Sequence, residues 1–588
     1  MSFDLKTSPY VLGIDLGTSN SSASVYIKGM ATPIPIEGSD RSLPSVVYFR
    51  DKNRNTMEVG KSAKKQIFIN PDHVFSSTKR LMKNDDWQKD DDLVHKFTLK
   101  DKENNEDKIT PTDIAAEILK TLLEKVRTQD SVDLKGQIRS AVICVPANTT
   151  DEYRQNVYKA AALADLGEKD NTGSVIFDSN GHPQGIMLLE EPTAAALGYA
   201  NEIGIFGNEK EQTILVYDMG GGTFDVTILH VDSTQDSQRP VLTVKATKGV
   251  SQLGGDDFDR IIMEMCAKEF QAISDINIFD LKSDQKATSQ KILKLAQQKL
   301  KEIAENIKIS FAGNVKKEEV DIPEFIKDGE GNKYDLQIEL KRSDFIEQIN
   351  PLLDNAKACI SDTLKEANLT LDDINRIILV GGSSKADWIV ESIKSLYPQG
   401  QEREPYRADN VDLIVSQGAA VFGSSKPVES AENKKSKDDT KDAIIESIVS
   451  HHLGIELEMG VFGLVIEKGL PLNDDNPVQK VTRTFGNQAD MDTMQIIIWK
   501  TQQTIDIEEV NGERKPKEKV FVNDRDEQGN PTFECIGEFV LKGIPKAPRG
   551  SEKIEITMEI NKENLLKVNA KVLSKGTQQD IELDITKI

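Results

Sequence analysis

The sequence predicts an α/β architecture followed, after a charged linker, by an all-β module, and three observations carry that reading. Strand-like and helix-like patterns alternate through residues 1–424, the arrangement expected of sheets covered by helices. A break follows between Ser424 and Lys441, SSKPVESAENKKSKDDTK, polar and without apolar periodicity, as in a solvated linker. Beyond it, alternating or β-branched segments with Gly, Asn, Asp and Pro turns fill roughly 140 residues.

The elements follow in order. Apolar strands are expected over 10–14, 140–145, 214–217 and 377–380, and amphipathic helices over 114–126 and 291–309. In the second helix Ile292, Leu295, Leu300, Ile303 and Ile307 recur at helical steps on one face. Right after the linker, Asp442-Ala443-Ile444-Ile445-Glu446 sets two isoleucines between acids. It reads either as the first strand of the next domain or as a segment that docks on the upstream domain in one state and releases in another. Strands are then expected over 455–465, 494–499, 532–541, 553–560 and 565–572, and the chain closes in or just after a strand over 580–588, with no helix following.

Composition narrows the function classes. The 588 residues hold 74 Lys and Arg against 97 Asp and Glu, a net charge of −23. Such acidity disfavours nucleic-acid backbones and anionic membranes as partners, since both attract basic clusters. No apolar run reaches the ~18–20 residues of a membrane span, and the polar start lacks a secretory layout. Cys144, Cys266, Cys359 and Cys535 lie far apart, which argues against a disulfide framework or zinc site and for a reducing, cytoplasmic compartment.

An internal duplication carries the chemistry. An apolar strand leads into Asp15-Leu16-Gly17-Thr18, and a second leads into Asp218-Met219-Gly220-Gly221-Gly222-Thr223-Phe224-Asp225. Alternation resumes after each turn, with Phe224, Val226 and Ile228 on one face and Thr223, Asp225 and Thr227 on the other. Each unit is therefore a β-hairpin rather than a strand–turn–helix. A third glycine turn follows a strand at Val380-Gly381-Gly382-Ser383-Ser384. Glycine turns let backbone N–H groups close on phosphate oxygens, and an Asp at each hairpin suits hydrated Mg²⁺. Two facing hairpins would clamp a nucleoside triphosphate between two lobes. The plainer reading of any one of them is a tight turn and nothing more.

These hairpins resemble the phosphate loops of the actin, sugar-kinase and heat-shock-chaperone superfamily. With Glu191-Pro192-Thr193-Ala194-Ala195-Ala196, Leu253-Gly254-Gly255-Asp256-Asp257-Phe258-Asp259, Leu453-Gly454-Ile455-Glu456 and Pro545-Lys546-Ala547-Pro548-Arg549-Gly550, nearly the whole chain resembles the seventy-kilodalton heat-shock (DnaK-like) chaperones. The resemblance implies a two-lobed, actin-like ATPase domain over 1–424, a linker over 425–446 ending in a docking segment, and a peptide-binding β-sandwich over 447–588. It implies an ATP-dependent chaperone for unfolded clients; a nucleotide-gated adaptor for one dedicated partner is the alternative. A sugar kinase or filament former has no use for the β module.

The residues carried over by the resemblance fall into four groups. Asp15 and Asp218 hold hydrated Mg²⁺, Asp225 is a third acid near the metals, Glu191 lies beside the cations (K⁺ being a further candidate), and Lys79, taken as unpaired, faces the γ-phosphate. Gly17, Thr18, Ser19, Asn20, Gly220, Gly221, Gly222, Thr223, Gly254, Gly255 and Asp256 surround the phosphates of ATP or ADP. Glu305 and Lys308, at i, i+3 on a helix, grip the ribose, and Gly381, Gly382, Ser383, Lys385 and Asp412 complete the purine site. Pro146, Arg154, Asp442, Ile444 and Ile445 couple the domains, while Ile455, Glu458, Phe485, Ile496 and Ile498 meet the peptide, Ile496 and Ile498 equally well being ordinary core.

Departures from the family pattern matter too. Lys385 replaces an adenine-stacking Arg, and lysine is the poorer planar stacker; Ala312 replaces a Ser; both imply weaker nucleotide affinity. Met187 and Glu190 stand where J-domain co-chaperones meet Arg and Asn, and Glu190 is expected to repel an acidic partner. Residues 168–184 read as an insertion beside that surface. A specialised J-domain protein and an exchange factor are the implied partners. Glu458 replaces a Met that arches over the peptide, which favours a basic or more polar peptide. The absence of a helical lid after residue 588 implies fast peptide release in every nucleotide state.

Overall fold

A computed structural model describes residues 8–36, 38–50, 57–70, 73–83, 85–89, 97–100, 106–128, 132–134, 136–147, 149–202, 211–232, 241–250, 253–281, 288–313, 315–408, 410–424, 444–449, 451–472, 478–487, 491–501, 503–510, 513–525, 531–561, 566–575 and 581–584. Asp442 and most of the expected linker lie outside them.

Two mixed sheets dominate the first part of the chain, and each is built on one plan. In the first, strand Leu12–Asp15 pairs antiparallel with Asn20–Ile27 and parallel with Ala141–Val145, which continues to Ile186–Glu190. In the second, Glu211–Met219 pairs antiparallel with Phe224–Asp232 and parallel with Arg376–Val380. The duplication read from the glycine turns is thus also a duplication of sheet: a hairpin flanked by a parallel strand. The strand expected over 214–217 is longer, Glu211–Met219, because its first residues still pair with Asp232, Val231 and His230.

The second hairpin is buried on both faces, whereas alternation alone suggests one wet face. Phe224, Val226 and Ile228 enter one apolar core; Leu229 and Val231 enter another; Asp225 and Thr227 are buried as well. Its neighbours explain this, because the hairpin occupies the middle of a seven-stranded sheet with a core on each side.

Between the sheets, helices Glu191–Glu202 and Ile414–Ser424 pack closely. A Cβ at Gly418 would strike the Gly198 nitrogen at 2.8 Å, and its clash with the Ala194 carbonyl is closer still. Glycine at 418 therefore sets the crossing distance. The helices expected over 114–126 and 291–309 are Pro111–Thr128 and Gln290–Ala312, each burying its apolar stripe.

The last part of the chain forms two four-stranded sheets sharing one core. Leu453, Ile455, Ile496 and Ile498 from one meet Ile554, Ile556, Met558, Ile560 and Val568 from the other. The single strand expected over 455–465 is in fact two, His452–Glu456 and Phe462–Ile466, broken by a turn over Glu458–Gly460. Met459 there has φ +62°, a conformation that ends the strand. Phe462, Leu464, Ile505, Val522 and Phe533 form a smaller core of their own.

The apolar patch lies in strand Ile444–Ile448. It pairs in parallel with Val241–Thr243 at the edge of the second sheet, and antiparallel with Leu472 and Pro471 of the later part. It is a strand, and it is docked upstream; it also runs across the expected boundary at residue 446. Among the described residues no helix is long and apolar enough to cross a membrane.

Candidate functional site

The hairpin turns, the turn after Arg376–Val380 and the start of helix Gly255–Ser274 converge on a cavity of about 680 Å³. Its walls hold Asp15, Gly17, Thr18, Ser19, Asn20, Lys79, Glu191, Asp218, Gly220, Gly221, Thr223, Gly255, Asp256, Glu305, Lys308, Gly381, Gly382, Ser383, Lys385 and Asp412. Positions far apart in sequence are brought together here by pairing: Asp218 faces Asp225 in the hairpin and Val380 on the parallel strand.

Three expected residues stand behind the wall rather than on it. Asp225 is buried at 6% exposure beside Asp218. Gly222 is covered by the Arg80 guanidinium, whose Nη2 donates to the Gly221 carbonyl at 3.1 Å. Gly254 backs onto the second hairpin turn: a Cβ there would meet Gly222 nitrogen at 2.7 Å and Gly221 oxygen at 2.8 Å. Its lack of a side chain lets two backbones touch, so that Gly255 and Asp256 donate their N–H groups to Gly220 and Gly221 at 3.0 and 2.7 Å.

At the deep end three carboxylates share one ammonium. Lys79 lies 2.5 Å from Glu191, so the lysine expected to be unpaired is paired. Burial pulls Lys79 down, but Glu191, Tyr153 and Asp15 outweigh it and hold the ammonium above its ordinary range. Burial, then Glu191, pushes Asp15 up to about 7, with Lys79 opposing and Asp412 adding. Burial, Glu191, Asp225 and Asp15 push Asp218 well up, against Lys79. Two acids as reluctant to ionise as Asp15 and Asp218 invite a cation. Among the described residues no three His, Cys, Asp or Glu side chains converge to ligate a metal directly.

At the other end Glu305 and Lys308 both line the cavity and are paired with other residues rather than with each other. Glu305 meets Lys64 at 2.9 Å, across from another helix, and Lys308 meets Asp259 at 2.7 Å while donating to the Gly255 carbonyl at 3.1 Å. Burial pushes Asp259 up to about 6 against the pull of Lys308. Ser383 donates to the Gly220 carbonyl at 2.9 Å, and Lys385 is ion-paired with Asp412. Ile309 lines the cavity although 61% exposed, whereas Ala312 packs against the core.

Sequence reasoning missed Lys64, Lys301, Asp259 and Arg80. The last two had a signal, since Asp259 closes the Leu253–Asp259 motif and Arg80 follows Lys79. Lys64 had none, because its partner Glu305 lies 241 residues away.

Two expectations about surface charge need correction. Glu190 is not free to repel a partner: the buried Arg154 donates to it at 3.2 Å. Glu458 does not present a bare carboxylate, because Arg549 is ion-paired with it. Residues 168–184 fold back on themselves, with Glu168 N–H donating to Gln184 at 2.8 Å and His182 stacked on Tyr158 at 4.1 Å. Pro146 follows strand Ala141–Val145 and accepts from Thr149 at 3.2 Å. Ile455, Ile496 and Ile498 are 2%, 1% and 1% exposed, inside the shared core, and Phe485 packs against it.

Compared with models of protein families, residues 11–587 match the one described as Hsp70 protein.

Proposed function

This chain belongs to the Hsp70 family, whose members are ATP-binding chaperones of protein folding and stress response, and from that premise we propose that it hydrolyses ATP in the described cavity and couples the nucleotide to the grip on extended client peptides. The convergence of two related glycine hairpins on Lys79, Glu191, Asp15 and Asp218 carries the reading. In this proposal residues 1–424 are a two-lobed actin-like ATPase domain, and 447–588 a peptide-binding β-sandwich joined by the docking strand.

The residues suit a magnesium nucleotide. Thr18, Ser19, Thr223 and the Gly221 backbone offer donors to phosphate oxygens, and Glu305 and Lys308 flank the ribose. Asp15, Asp218 and Glu191 supply the negative charge that a hydrated Mg²⁺ balances, with K⁺ a second candidate. Mg²⁺, when bound, neutralises charge on the transferred phosphoryl group. Lys79 then serves as the protein's cation for that group. Asp225 sits behind Asp218, where its charge keeps that neighbour a poor acid.

Client peptides, a J-domain protein and an exchange factor are the proposed partners. Because Arg154 occupies Glu190, discrimination among J-domain proteins falls to the folded arm over 168–184.

Single-turnover ATP hydrolysis of the full chain, with and without an unfolded client, tests the reading. Lys79→Ala is expected to slow hydrolysis by roughly 10²–10³-fold, the size of losing one transition-state donor, with ATP still bound. Peptide-stimulated turnover in the wild type supports the chaperone. Stable ATP occupancy with one tight partner and no turnover would point instead to an adaptor.

A further inference from the structure

Tyr153 is 2% exposed, and its hydroxyl has no hydrogen-bond partner among the described residues. It lies on helix Asp151–Leu163, which packs against the turn Thr78–Lys83 that carries Lys79. Asn156, one turn further along, donates to the Met82 carbonyl at 3.0 Å, and Tyr153 and Met82 share one core. The next residue, Arg154, donates to Glu190 at 3.2 Å. Glu191, which follows, meets Lys79 at 2.5 Å. Arg154 thus reaches the strand–helix junction at Glu190, and its neighbour Tyr153 lies within electrostatic reach of Glu191 and Lys79. Burial, and the nearby Glu191 and Asp15, hold the phenol protonated against the opposing Lys79. It is a donor without an acceptor.

A Lys79 ammonium that turns to a phosphoryl group loosens its 2.5 Å contact with Glu191. When it leaves, Glu191, 9% exposed, is left as a buried carboxylate without a partner, which is costly. We propose that Tyr153 is a positioning residue for hydrolysis, whose hydroxyl takes Glu191 as its acceptor when Lys79 turns to the phosphate. The proposal rests on the reading of the cavity as an ATPase site. Tyr153 touches no substrate; it acts by making the departure of Lys79 affordable to Glu191.

The test compares ATP binding, single-turnover hydrolysis and thermal midpoint for the full-length wild type, Tyr153→Phe, Glu191→Gln and the double variant. Tyr153→Phe is expected to lower the hydrolysis rate roughly ten- to hundred-fold, the worth of one hydrogen bond to a charged group. ATP affinity and midpoint stay unchanged. In the Glu191→Gln background the same substitution has no further effect, because no charge remains to be held. An unchanged rate in Tyr153→Phe, or an equal loss in both backgrounds, overturns the proposal. So does a fall in midpoint with a parallel loss of ATP binding, which marks a packing role. A wild type that binds ATP and never hydrolyses it overturns the ATPase reading as well, whereas an active wild type with an equally active Tyr153→Phe overturns this proposal alone.

Discussion

At Asp15, burial and the neighbouring Glu191 push the carboxyl up to about 7 from an ordinary 3.8, with Lys79 opposing and Asp412 adding to the rise. The unfolded chain ionises this group near pH 4 and the folded protein only near pH 7. Between those values the folded state holds the extra proton, so this group's contribution to stability falls as pH rises and is lowest above pH 7. Asp15→Asn removes the charge. The nucleotide-free variant is expected to melt higher than the wild type at pH 8 by roughly 2–4 °C, the shift that about 1 kcal/mol produces in a medium-sized domain. The gain narrows between pH 7 and pH 4, and hydrolysis is lost at every pH. Scanning calorimetry across that range checks it; a constant gain at all pH values would mean that packing, not charge, is relieved.

The strand Ile444–Ile448 joins two parts of the chain through backbone alone: three residues pair in parallel with Val241–Thr243 and two pair with Leu472 and Pro471. Consecutive N–H groups of a strand point to opposite edges, so replacing both Ile444 and Ile445 by Pro removes at least one donor to the ladder whatever its phase. Amide exchange at Val241–Thr243 is expected to accelerate in this double variant, and client peptide to lose its effect on ATP hydrolysis. Unchanged exchange would show that the strand does not depend on that ladder. The turn over Glu458–Gly460 teaches a different lesson at this scale. Its neighbours alternate well enough to suggest one strand over 455–465, yet the left-handed Met459 reverses the chain and brings Glu458 to Arg549. Gly460, φ +72°, was the turn's own signal, but periodicity does not report a reversal shared with a left-handed methionine.

Across the whole molecule, Glu366 of helix Arg342–Glu366 takes both Lys248 at 3.6 Å and Lys468 at 2.8 Å. Lys468 follows strand Phe462–Ile466 of the last part of the chain, and its side chain is only 6% exposed. Burial pulls the Lys468 ammonium down, and Glu366 opposes that pull. Glu366→Gln leaves a buried cation uncompensated, a loss on the order of 2 kcal/mol or more. The expected outcome is release of the last part from the α/β part, read as a larger radius of gyration in solution scattering. An unchanged radius would assign the contact to other residues.

Much of this was legible before any coordinates. The paired turns at Asp15 and Asp218 are local signals: glycine where backbone must approach a ligand, acid where charge must be balanced, strand on either side. They predict a duplicated hairpin, and the duplicated sheets carry it further. The helix over Gln290–Ala312 was likewise written in its periodicity. What no local pattern could supply is the partner of a charge. Lys79 looked free, Glu190 looked exposed to partners, and Glu458 looked bare, yet each is held by a residue 112, 36 and 91 positions away. Glu305 and Lys308, neighbours on one helix, turn to Lys64 and Asp259 rather than to each other. The sequence by itself determined which residues can bind, balance or catalyse, because side-chain chemistry and backbone freedom are properties of the residue. Tertiary structure alone decided which of them are already spoken for, because ion pairing and burial depend on distances that only the folded chain sets.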